Sequence, residues 1–517
     1  MIILLLSLPA INYAVSPLLT PNSLTVNSEQ AAQLGRLWVE YQGRISPIQT
    51  LANDFTIKIT GKTHYQDLSG EQVFFGWLFF PERWQHVPMF QLKNDELKRI
   101  AGVKDGYASL ADFTDVNGNN KLEPFRRQMY ASNKPEGWFK EAVKLDDKFH
   151  LIEMLQYGSQ LKIFPMQDME GRLQWYTPGM DIPAQADTME NMFTRYFFSL
   201  YYEALMQDNV AAADKYVSKL MTFQQLKAGD LPSETHKEVE RLYNRMSIFS
   251  LLFKICLTAG ALCLLYFIIT TIRNKSWREI EKFFHILLWV IFITATIGLG
   301  LRTYIGGRIP VSNGYETMLL LAWFSLLTGI LARRYSFLIV VFSFLLAGFT
   351  LLVAHISAMN PHITPLMPVL QSPLMSIHVL TIMVAYGLCG FMALNSITSF
   401  IVWFFGGKKI DRADYIKRMK ETSELFMYPA AFLMGAGIFI GAIWANVSWG
   451  RYWGWDSKEV WALITFLLMG FTFHDKTLTW FRKPLFYHTF ILIIFLAVLM
   501  TYFGVNYVLG GRHSYAG

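Results

Sequence analysis

The chain has 517 residues, of which 53% are hydrophobic and only 16% are charged. An ordinary soluble protein carries roughly 25% charged residues, so the composition indicates a protein in contact with membrane lipid. The formal net charge of +7 does not indicate nucleic-acid binding, because the basic residues lie between hydrophobic segments, where membrane topology accounts for them.

The cysteines exclude several kinds of site. Cys256, Cys263 and Cys389 all lie in apolar stretches, and no two of them form a C-x-x-C pair. We therefore expect no disulfide framework, no zinc site and no thiol relay. The sequence also contains no C-x-x-C-H, so the chain is not itself a c-type cytochrome.

The chain begins with an apolar stretch, residues 1–21, followed by a mixed region, residues 22–246. The first basic residue is Arg36, so the start lacks the basic region of a signal peptide. It is either an uncleaved anchor or the remnant of a transmembrane helix from a longer parent. Residues 22–246 are predicted to be a soluble α/β domain outside the cytoplasm. They contain a β-like run at Phe55–Thr60 and amphipathic helical patterns within 190–227.

The segment Asp115–Glu123 has the spacing of a calcium-binding loop. It lacks glycine at the sixth loop position, and the twelfth position falls on Arg126. A bidentate glutamate is required there. We therefore predict an Asx-rich turn and no calcium site.

From residue 247 the chain is predominantly hydrophobic and is predicted to form an α-helical polytopic membrane domain, residues 247–517. A span needs roughly 20 apolar residues. About eight segments qualify, at 248–271, 282–301, 316–332, 336–356, 374–405, 425–446, 459–473 and 485–509.

The basic residues of the connecting loops are unequally divided between the two sides. One side carries fifteen: Arg273, Lys275, Arg278, Lys282, Arg333, Arg334, Lys408, Lys409, Arg412, Lys417, Arg418, Lys420, Lys476, Arg482 and Lys483. The other carries five: Arg302, Arg308, Arg451, Lys458 and Arg512. By the positive-inside rule, the richer side is cytoplasmic. The soluble domain, the loop before the seventh span and the C-terminus are then outside.

That loop is unusually rich in tryptophan. Trp449, Trp453 and Trp455 occupy three of seven positions, more than a membrane-interface anchor requires. The interpretation is a flat aromatic shelf for a large planar ligand such as a porphyrin. Asp456 with Glu459 has the spacing of a capping box for the following helix, which would set the angle of the loop. Trp461 is expected to pack within that helix.

Imidazole is the usual axial ligand of haem iron, and the predicted topology sorts the histidines. His378 and His513 lie at the level of the tryptophan loop, whereas His474 lies about 22 Å along the seventh helix from it. Each has a plainer alternative, because an interfacial histidine is often only solvated and His474 would equally mark a helix end. His362, in the proline-rich loop 361–373, is interpreted as a solvated residue. Arg451, Lys458 and Arg512 are candidates to meet haem propionates, although surface solvation explains each equally well.

Several segments together resemble a known family. WGRYWGWD is similar to the tryptophan-rich WWD signature of membrane proteins that handle haem in cytochrome c maturation. ITPLMPVLQSP followed by IH, WANVSWG, WDSKEVWALI and GGRHSY resemble the CcsA (ResC) family of system II cytochrome c synthases. The similarity covers roughly residues 280–515.

The resemblance implies a function and a set of site residues. The protein would move haem b (iron protoporphyrin IX) to the outer face of the bacterial inner membrane and attach it to an apocytochrome c carrying C-x-x-C-H. His378 and His513 would ligate the outer haem iron, and His474 would ligate the iron of an inner haem. The tryptophan loop, with Trp449, Arg451, Trp453, Trp455 and Asp456, would complete the outer site. A thiol-reducing, thioredoxin-like partner is also implied.

One departure concerns the partner of His474. In fused members of the family, the second ligand of the inner haem iron comes from a CcsB-like (ResB) half with several spans. This chain, in contrast, has at most one apolar segment before its soluble domain. A separate membrane chain or a shortened half would then supply it, and His285 is a local candidate. Two other functions remain open: a haem chaperone or exporter serving a separate synthase, and a redox haem protein. An adhesion or sensor protein with a membrane anchor fits the span count poorly.

Overall fold

The computed structural model describes residues 25–131, 137–178, 180, 182–183, 187–273, 277–356, 359, 361–365, 372–405 and 411–509. The predicted ligand His513, together with Arg512, the GGRHSY segment and the whole apolar stretch 1–21 with its neighbours to 24, lies outside the described residues. The chain divides into two compact units, Met1–Asn244 and Arg245–Gly517.

The first unit mixes helices with short strands. Its helices are α1 (Ser28–Leu34), α2 (Ile48–Thr60), α3 (Gly70–Phe79), α4 (Pro81–Trp84), α5 (Asp95–Ala101), α6 (Glu123–Ala131), α7 (Gly137–Gln156), α8 (Thr188–Met206), α9 (Val210–Ala228) and α10 (Glu234–Met246). Over the described residues its strands form four antiparallel pairs: β1 (Trp38–Tyr41) with β2 (Arg44–Pro47), β3 (His64–Tyr65) with β4 (Leu68–Ser69), β5 (Phe90–Gln91) with β6 (Tyr107–Ala108), and β7 (Phe164–Gln167) with β8 (Leu173–Tyr176).

An aromatic core holds this unit together. Phe55, Phe74, Trp77 and Phe197 are each no more than 2% exposed. Phe55 and Phe74 meet edge to face, with their ring centroids 5.8 Å apart. Aromatic side chains of this size bury large apolar areas, so two-residue strands suffice because helix packing supplies the stability.

The β-like run at Phe55–Thr60 is wrong as a strand, since it forms the second half of α2. Its residues alternate as in a strand, but Leu51, Phe55 and Ile59 recur every four positions and are all buried on one helix face. The helical period therefore decides the structure. The helices predicted within 190–227 are confirmed as α8 and α9.

The Asx-rich turn is also confirmed. The Asp115 Oδ1 accepts hydrogen bonds from the backbone N–H of Asn117 at 2.8 Å and of Asn119 at 2.7 Å. The carboxylate thus organises its own turn.

The second unit is helical. It contains α11 (Ile248–Arg273), α12 (Arg278–Gly306), α13 (Gly314–Ala332), α14 (Phe337–Ile356), α15 (Pro373–Phe405), α16 (Arg412–Trp449), α17 (Ser457–Thr472), α18 (Pro484–Leu499) and a π-helix, Met500–Leu509. α14 packs along α11 and α13, and α15 packs along α16 and α18. The fold is that of a polytopic helical membrane protein with an N-terminal mixed domain, as predicted.

All eight predicted spans are helical, but they differ in length. Within the described residues, seven helical segments are long and apolar enough to cross a membrane. They are Glu234–Thr270, the five helices α12 to α16, and Pro484–Asn506. The seventh predicted span, α17, has 16 residues and rises only about 24 Å. α16 begins at Arg412, well before the predicted 425, because Asp411 caps it by accepting from the N–H groups of Ala413 and Asp414.

Candidate functional site

The candidate site lies at one end of the helical unit, which we call the tryptophan end. α15 runs antiparallel to α16, so the start of α15 lies beside the end of α16. The loop Trp449–Asp456 then leads into the start of α17. His378, in the second turn of α15, is therefore at the same end as the three loop tryptophans.

The indoles of the loop do not form a flat shelf, which corrects the prediction. The rings of Trp453 and Trp455 are perpendicular, with centroids 6.0 Å apart and an interplanar angle of 89°. Trp449 meets Trp444 edge to face at 4.8 Å. Neighbouring aromatic rings prefer edge-to-face contact to stacking in register. The indoles of the loop therefore face in different directions, and the Trp455 side chain is 75% exposed.

Trp455 has an unusual backbone conformation. Its φ is +54°, in the left-handed region that a bulky residue adopts only when its surroundings impose it. Those surroundings are visible on both sides: the Glu459 Oε2 accepts from the N–H of Gly454 at 2.8 Å and from the N–H of Asp456 at 3.2 Å. One carboxylate oxygen thus holds the two residues that flank Trp455.

The capping box predicted at the start of α17 is confirmed. Asp456 is the N-cap and its Oδ1 accepts from the Lys458 N–H at 3.0 Å, while Glu459 accepts in return from the Asp456 N–H. The same glutamate therefore begins the helix and shapes the loop. The box predicted from spacing alone did not reveal the second bond, to Gly454.

His378 is fixed by α16. Its Nδ1 lies 2.7 Å from the carbonyl oxygen of Gly437. A carbonyl oxygen can only accept, so Nδ1 carries the proton and the lone pair of the neutral ring is on Nε2. A Cβ at Gly441 would lie 2.6 Å from the His378 Cε1, so the ring occupies space that only glycine leaves open.

His474 lies at the other end of α17. It follows the C-cap residue Phe473 and is exposed. Its Nδ1 lies 2.8 Å from the carbonyl oxygen of Gly470, so the same argument puts its lone pair on Nε2. His474 is about a helix length from the tryptophan loop and cannot share an iron with His378.

The remaining candidates fall in different places. Arg451 is exposed, and its guanidinium carbon would lie 3.0 Å from a Cβ at Gly454, so its charge is beside the loop. His285 packs against Phe337, 6.1 Å between ring centroids. Its helix α12 packs mainly on α11, α13 and α14, whereas α17 packs on α16, α18 and the π-helix. The structure therefore gives no support for His285 as the partner of His474.

Two further polar groups were missed by the sequence patterns. His488, in α18, is fully buried; its Nδ1 lies 3.0 Å from the Ser396 Oγ, and its Nε2 lies 3.4 Å from the Ile416 carbonyl oxygen. Glu316 is buried at the start of α13 between Arg302 and Arg308. A polar residue inside a predicted span is the signal that could have found both.

The side chains at the tryptophan end can be set against what a haem requires. Within the described residues, no three His, Cys, Asp or Glu side chains come together to hold an ion. A porphyrin iron requires an oriented imidazole and a porphyrin face suits aromatic rings, and both are present at this end of the unit. The residues at the tryptophan end therefore fit the group that the resemblance implies.

The chain is similar to proteins of known families. Residues 311–513 match a family model described as cytochrome C assembly protein. The chain is 32% identical over 512 residues to the protein NrfI of Wolinella succinogenes, covering 95% of this chain but only 55% of that relative. It thus spans about half the length of NrfI.

Shorter relatives match part of the chain. Over 270 residues the chain is 30% identical to the cytochrome c biogenesis protein CcsA of Prochlorococcus marinus strain MIT 9312, covering 46% of this chain and 85% of that protein. It is 29% identical over 249 residues to the protein of the same name from Guillardia theta, covering 82% of it. The matched family region, residues 311–513, contains the tryptophan loop, His378, His474 and His513.

Proposed function

The chain belongs to the CcsA family of cytochrome c biogenesis proteins, and we propose that it presents haem at the tryptophan end and promotes its covalent attachment to apocytochrome c. The observation that carries the proposal is the 2.7 Å contact from the His378 Nδ1 to the Gly437 carbonyl oxygen. It orients an imidazole, with Nε2 as the basic nitrogen, at the same end as the three tryptophans of the loop.

The outer site is proposed to use two histidines. His378 and His513 would ligate the iron, and one of them would yield to the histidine of the client's C-x-x-C-H. Trp453 and Trp455 would contact the porphyrin, and Arg451 would meet a propionate. A second hydrogen bond on the non-ligating nitrogen raises ligand basicity and fixes ring orientation, which is the part that Gly437 would play.

The reaction proposed is the addition of two client thiols to two haem vinyl groups. At each vinyl group a C–S bond forms and the thiol proton ends on the neighbouring carbon, so no external oxidant or reductant is consumed. The protein contributes position: holding thiol and vinyl group in a reactive arrangement makes the step effectively unimolecular. This activity is that of a holocytochrome c synthase.

An inner site is proposed at the opposite end. The His474 Nδ1 contact with the Gly470 carbonyl oxygen orients its ring as Gly437 orients that of His378. The loops at that end carry the larger share of basic residues, which supports a cytoplasmic position. Haem would enter beside His474, with the second ligand supplied by a CcsB/ResB-like chain, and the bacterial inner membrane is the proposed location.

The test is a haem spectrum combined with an attachment assay. The chain would be expressed with its partner and an apocytochrome c, in a host lacking its own attachment machinery. We expect the wild-type protein to purify with haem and yield covalent cytochrome. His378→Gly should lose both, and added imidazole should partly restore them.

The matched control is His355→Gly. His355 is the next-to-last residue of α14, at the tryptophan end. It packs on Phe253 with ring centroids 4.9 Å apart, but it has no proposed role. Equal haem loss in both variants would argue against a specific ligand. Haem binding without covalent attachment would favour a haem chaperone or exporter instead.

A further inference from the structure

The first turn of α17 contains a lysine where a helix usually carries an acidic residue. Lys458 is the second residue of α17, after the N-cap Asp456 and Ser457. The positive end of the helix dipole disfavours a cation in the first turn. Lys458 is also half-buried, although an ammonium group prefers full hydration. Both features favour the neutral amine over the ammonium.

The electrostatic surroundings of Lys458 agree with its position. Burial lowers the pKa of Lys458 to about 8, although the Asp456 carboxylate acts in the opposite direction. That carboxylate accepts from the backbone N–H of Lys458 at 3.0 Å, and the Glu459 Oε2 accepts from two backbone N–H groups of the loop. Lys458 precedes the predicted span 459–473, so it lies at the outer, aqueous end of the helix. Its amine therefore exchanges protons near neutral pH.

The elements packed on α17 add few charged groups at this end. α17 packs on α16, α18 and the π-helix. Residues 435–449, the part of α16 at the tryptophan end, contain no titratable side chain. In α18 and the π-helix the titratable residues are Tyr487 and His488, at the opposite end, and Tyr502 and Tyr507. The loop adds Arg451, and α15 adds His378. Among these elements, the charges near Lys458 at neutral pH are thus those of the loop and of the first turn.

The proposed attachment reaction needs a group that moves a proton. The addition leaves the thiol proton on a vinyl carbon, and a free cysteine has a pKa of about 8.5, so most client thiols are protonated at neutral pH. A base works best when its pKa is close to the working pH. A carboxylate is too weak a base for a thiol, and His378 would be bound to the iron.

We propose that Lys458 is the proton-transfer residue of the attachment reaction. The inference rests on the proposed function and adds one group to it. The neutral ε-amine accepts the proton of a client thiol, and a sulfur lone pair forms the C–S bond to the vinyl carbon next to the porphyrin ring. The electron pair of the vinyl double bond takes the proton back from the ammonium at the terminal carbon. The amine is then ready for the second vinyl group, and nothing is oxidised or reduced.

The test is a pH profile of attachment by the full chain with its partner and a client carrying C-x-x-C-H. Lys458→Arg keeps the positive charge, but arginine is not deprotonated in proteins. We expect this variant to hold haem with the wild-type spectrum and to attach it about 100-fold more slowly at neutral pH. The wild-type rate should reach a maximum between about pH 8 and 8.5, where amine and thiol are both present. The Lys458→Arg rate should rise steadily with pH as the client thiols ionise by themselves.

Two further variants complete the design. Lys458→His supplies a base with a lower pKa, about 6.5, so it should recover part of the rate and move the rise in rate to lower pH. Lys254→Arg is the matched control. Lys254 is an exposed lysine of α11 with its Nζ 5.7 Å from the ring centroid of Phe253, at the tryptophan end, and it has no proposed role. This variant should keep the wild-type profile.

Wild-type attachment by Lys458→Arg would overturn the inference. Loss of haem from that variant would also overturn it, because Lys458 would then be a binding group, such as a partner of a propionate. Lys458→Gln, which has no basic nitrogen and no charge, gives the same test of attachment per bound haem if Lys458→Arg does not fold. If the wild-type protein attaches no haem, the proposed function itself fails. If the wild-type protein and Lys458→Gln attach it equally fast, only the role of Lys458 fails.

Discussion

At the scale of single residues, Trp455 is the position where local preference and structure disagree. A non-glycine residue in the left-handed region costs about 1 kcal/mol or more, and Trp455 at φ +54° is mostly exposed, so little packing offsets that cost. Such strain is characteristic of functional sites. The indole is held outward by the bonds from Gly454 and Asp456 to Glu459.

We predict that Trp455→Gly leaves the protein as stable as the wild type or raises its melting temperature, while haem retention falls. Glycine adopts the left-handed conformation at no steric cost. Trp453→Gly is the control, because Trp453 is half-buried and its φ is not positive. This variant should lower both the melting temperature and haem retention. Thermal unfolding in detergent and haem content per protein are the measurements. A clear fall in the melting temperature of Trp455→Gly would contradict the prediction.

The capping box offers a second residue-scale prediction. Asp456→Asn should be mild because asparagine caps about as well as aspartate, and Asp456→Ala should cost about 1 kcal/mol. If the negative charge acted directly on the haem, Asn and Ala would fail alike. Synthase activity of the two variants distinguishes capping from charge, and Glu459→Gln, which keeps an accepting oxygen, should resemble Asp456→Asn.

At the scale of elements, the close approach of α15 and α16 depends on glycine. The His378 ring lies against Gly437 and Gly441, and a Cβ at Gly441 would approach its Nδ1 to 2.7 Å. A real Cβ does not tolerate that distance, so the ring must move. The position of the proposed ligand is thus a property of the helix pair, and not of His378 alone.

We therefore predict that Gly441→Ala changes the haem spectrum although it replaces no proposed ligand. Gly300→Ala in α12 is the matched control, because nothing lies within 4 Å of a Cβ there and alanine favours helix by about 1 kcal/mol. The two variants should insert equally well. An unchanged spectrum in Gly441→Ala would show that the ring can shift without consequence.

At the scale of the whole molecule, the hydrophobic core of the first unit is its own. Its main cluster of buried residues runs from Val26 to Leu220, within the unit that ends at Asn244. A domain with a complete core can fold independently. We expect residues 25–244, expressed alone, to be monomeric and to melt in one cooperative transition.

Circular dichroism with heating is the measurement for that fragment. Trp77→Ala, at a fully buried position, should cost about 3 to 5 kcal/mol by leaving a large cavity and serves as the control for a packed core. A gradual, non-cooperative melt of the unchanged fragment would contradict independent folding.

Hydropathy located each of the described helices α11 to α18 because lipid demands long apolar segments, and the capping box located the start of α17. Other features depend on contacts between distant segments. Neither the fit of His378 against Gly441 nor the placement of Glu316 between Arg302 and Arg308 follows from spacing along the chain. The strand predicted at Phe55–Thr60 was wrong for the same reason: its residues alternate as in a strand, and only contacts with distant segments show that one helical face of α2 is buried.

The hydrogen bonds of Glu459 have a consequence for the thermodynamics of binding. They join residues of the chain itself that are no more than five positions apart, so these bonds order the tryptophan loop without help from a substrate. A ligand that meets such a loop loses little conformational entropy in ordering it. The amide protons of Gly454 and Asp456 should therefore exchange slowly with solvent deuterium in the empty protein, and loading should leave their exchange rates almost unchanged.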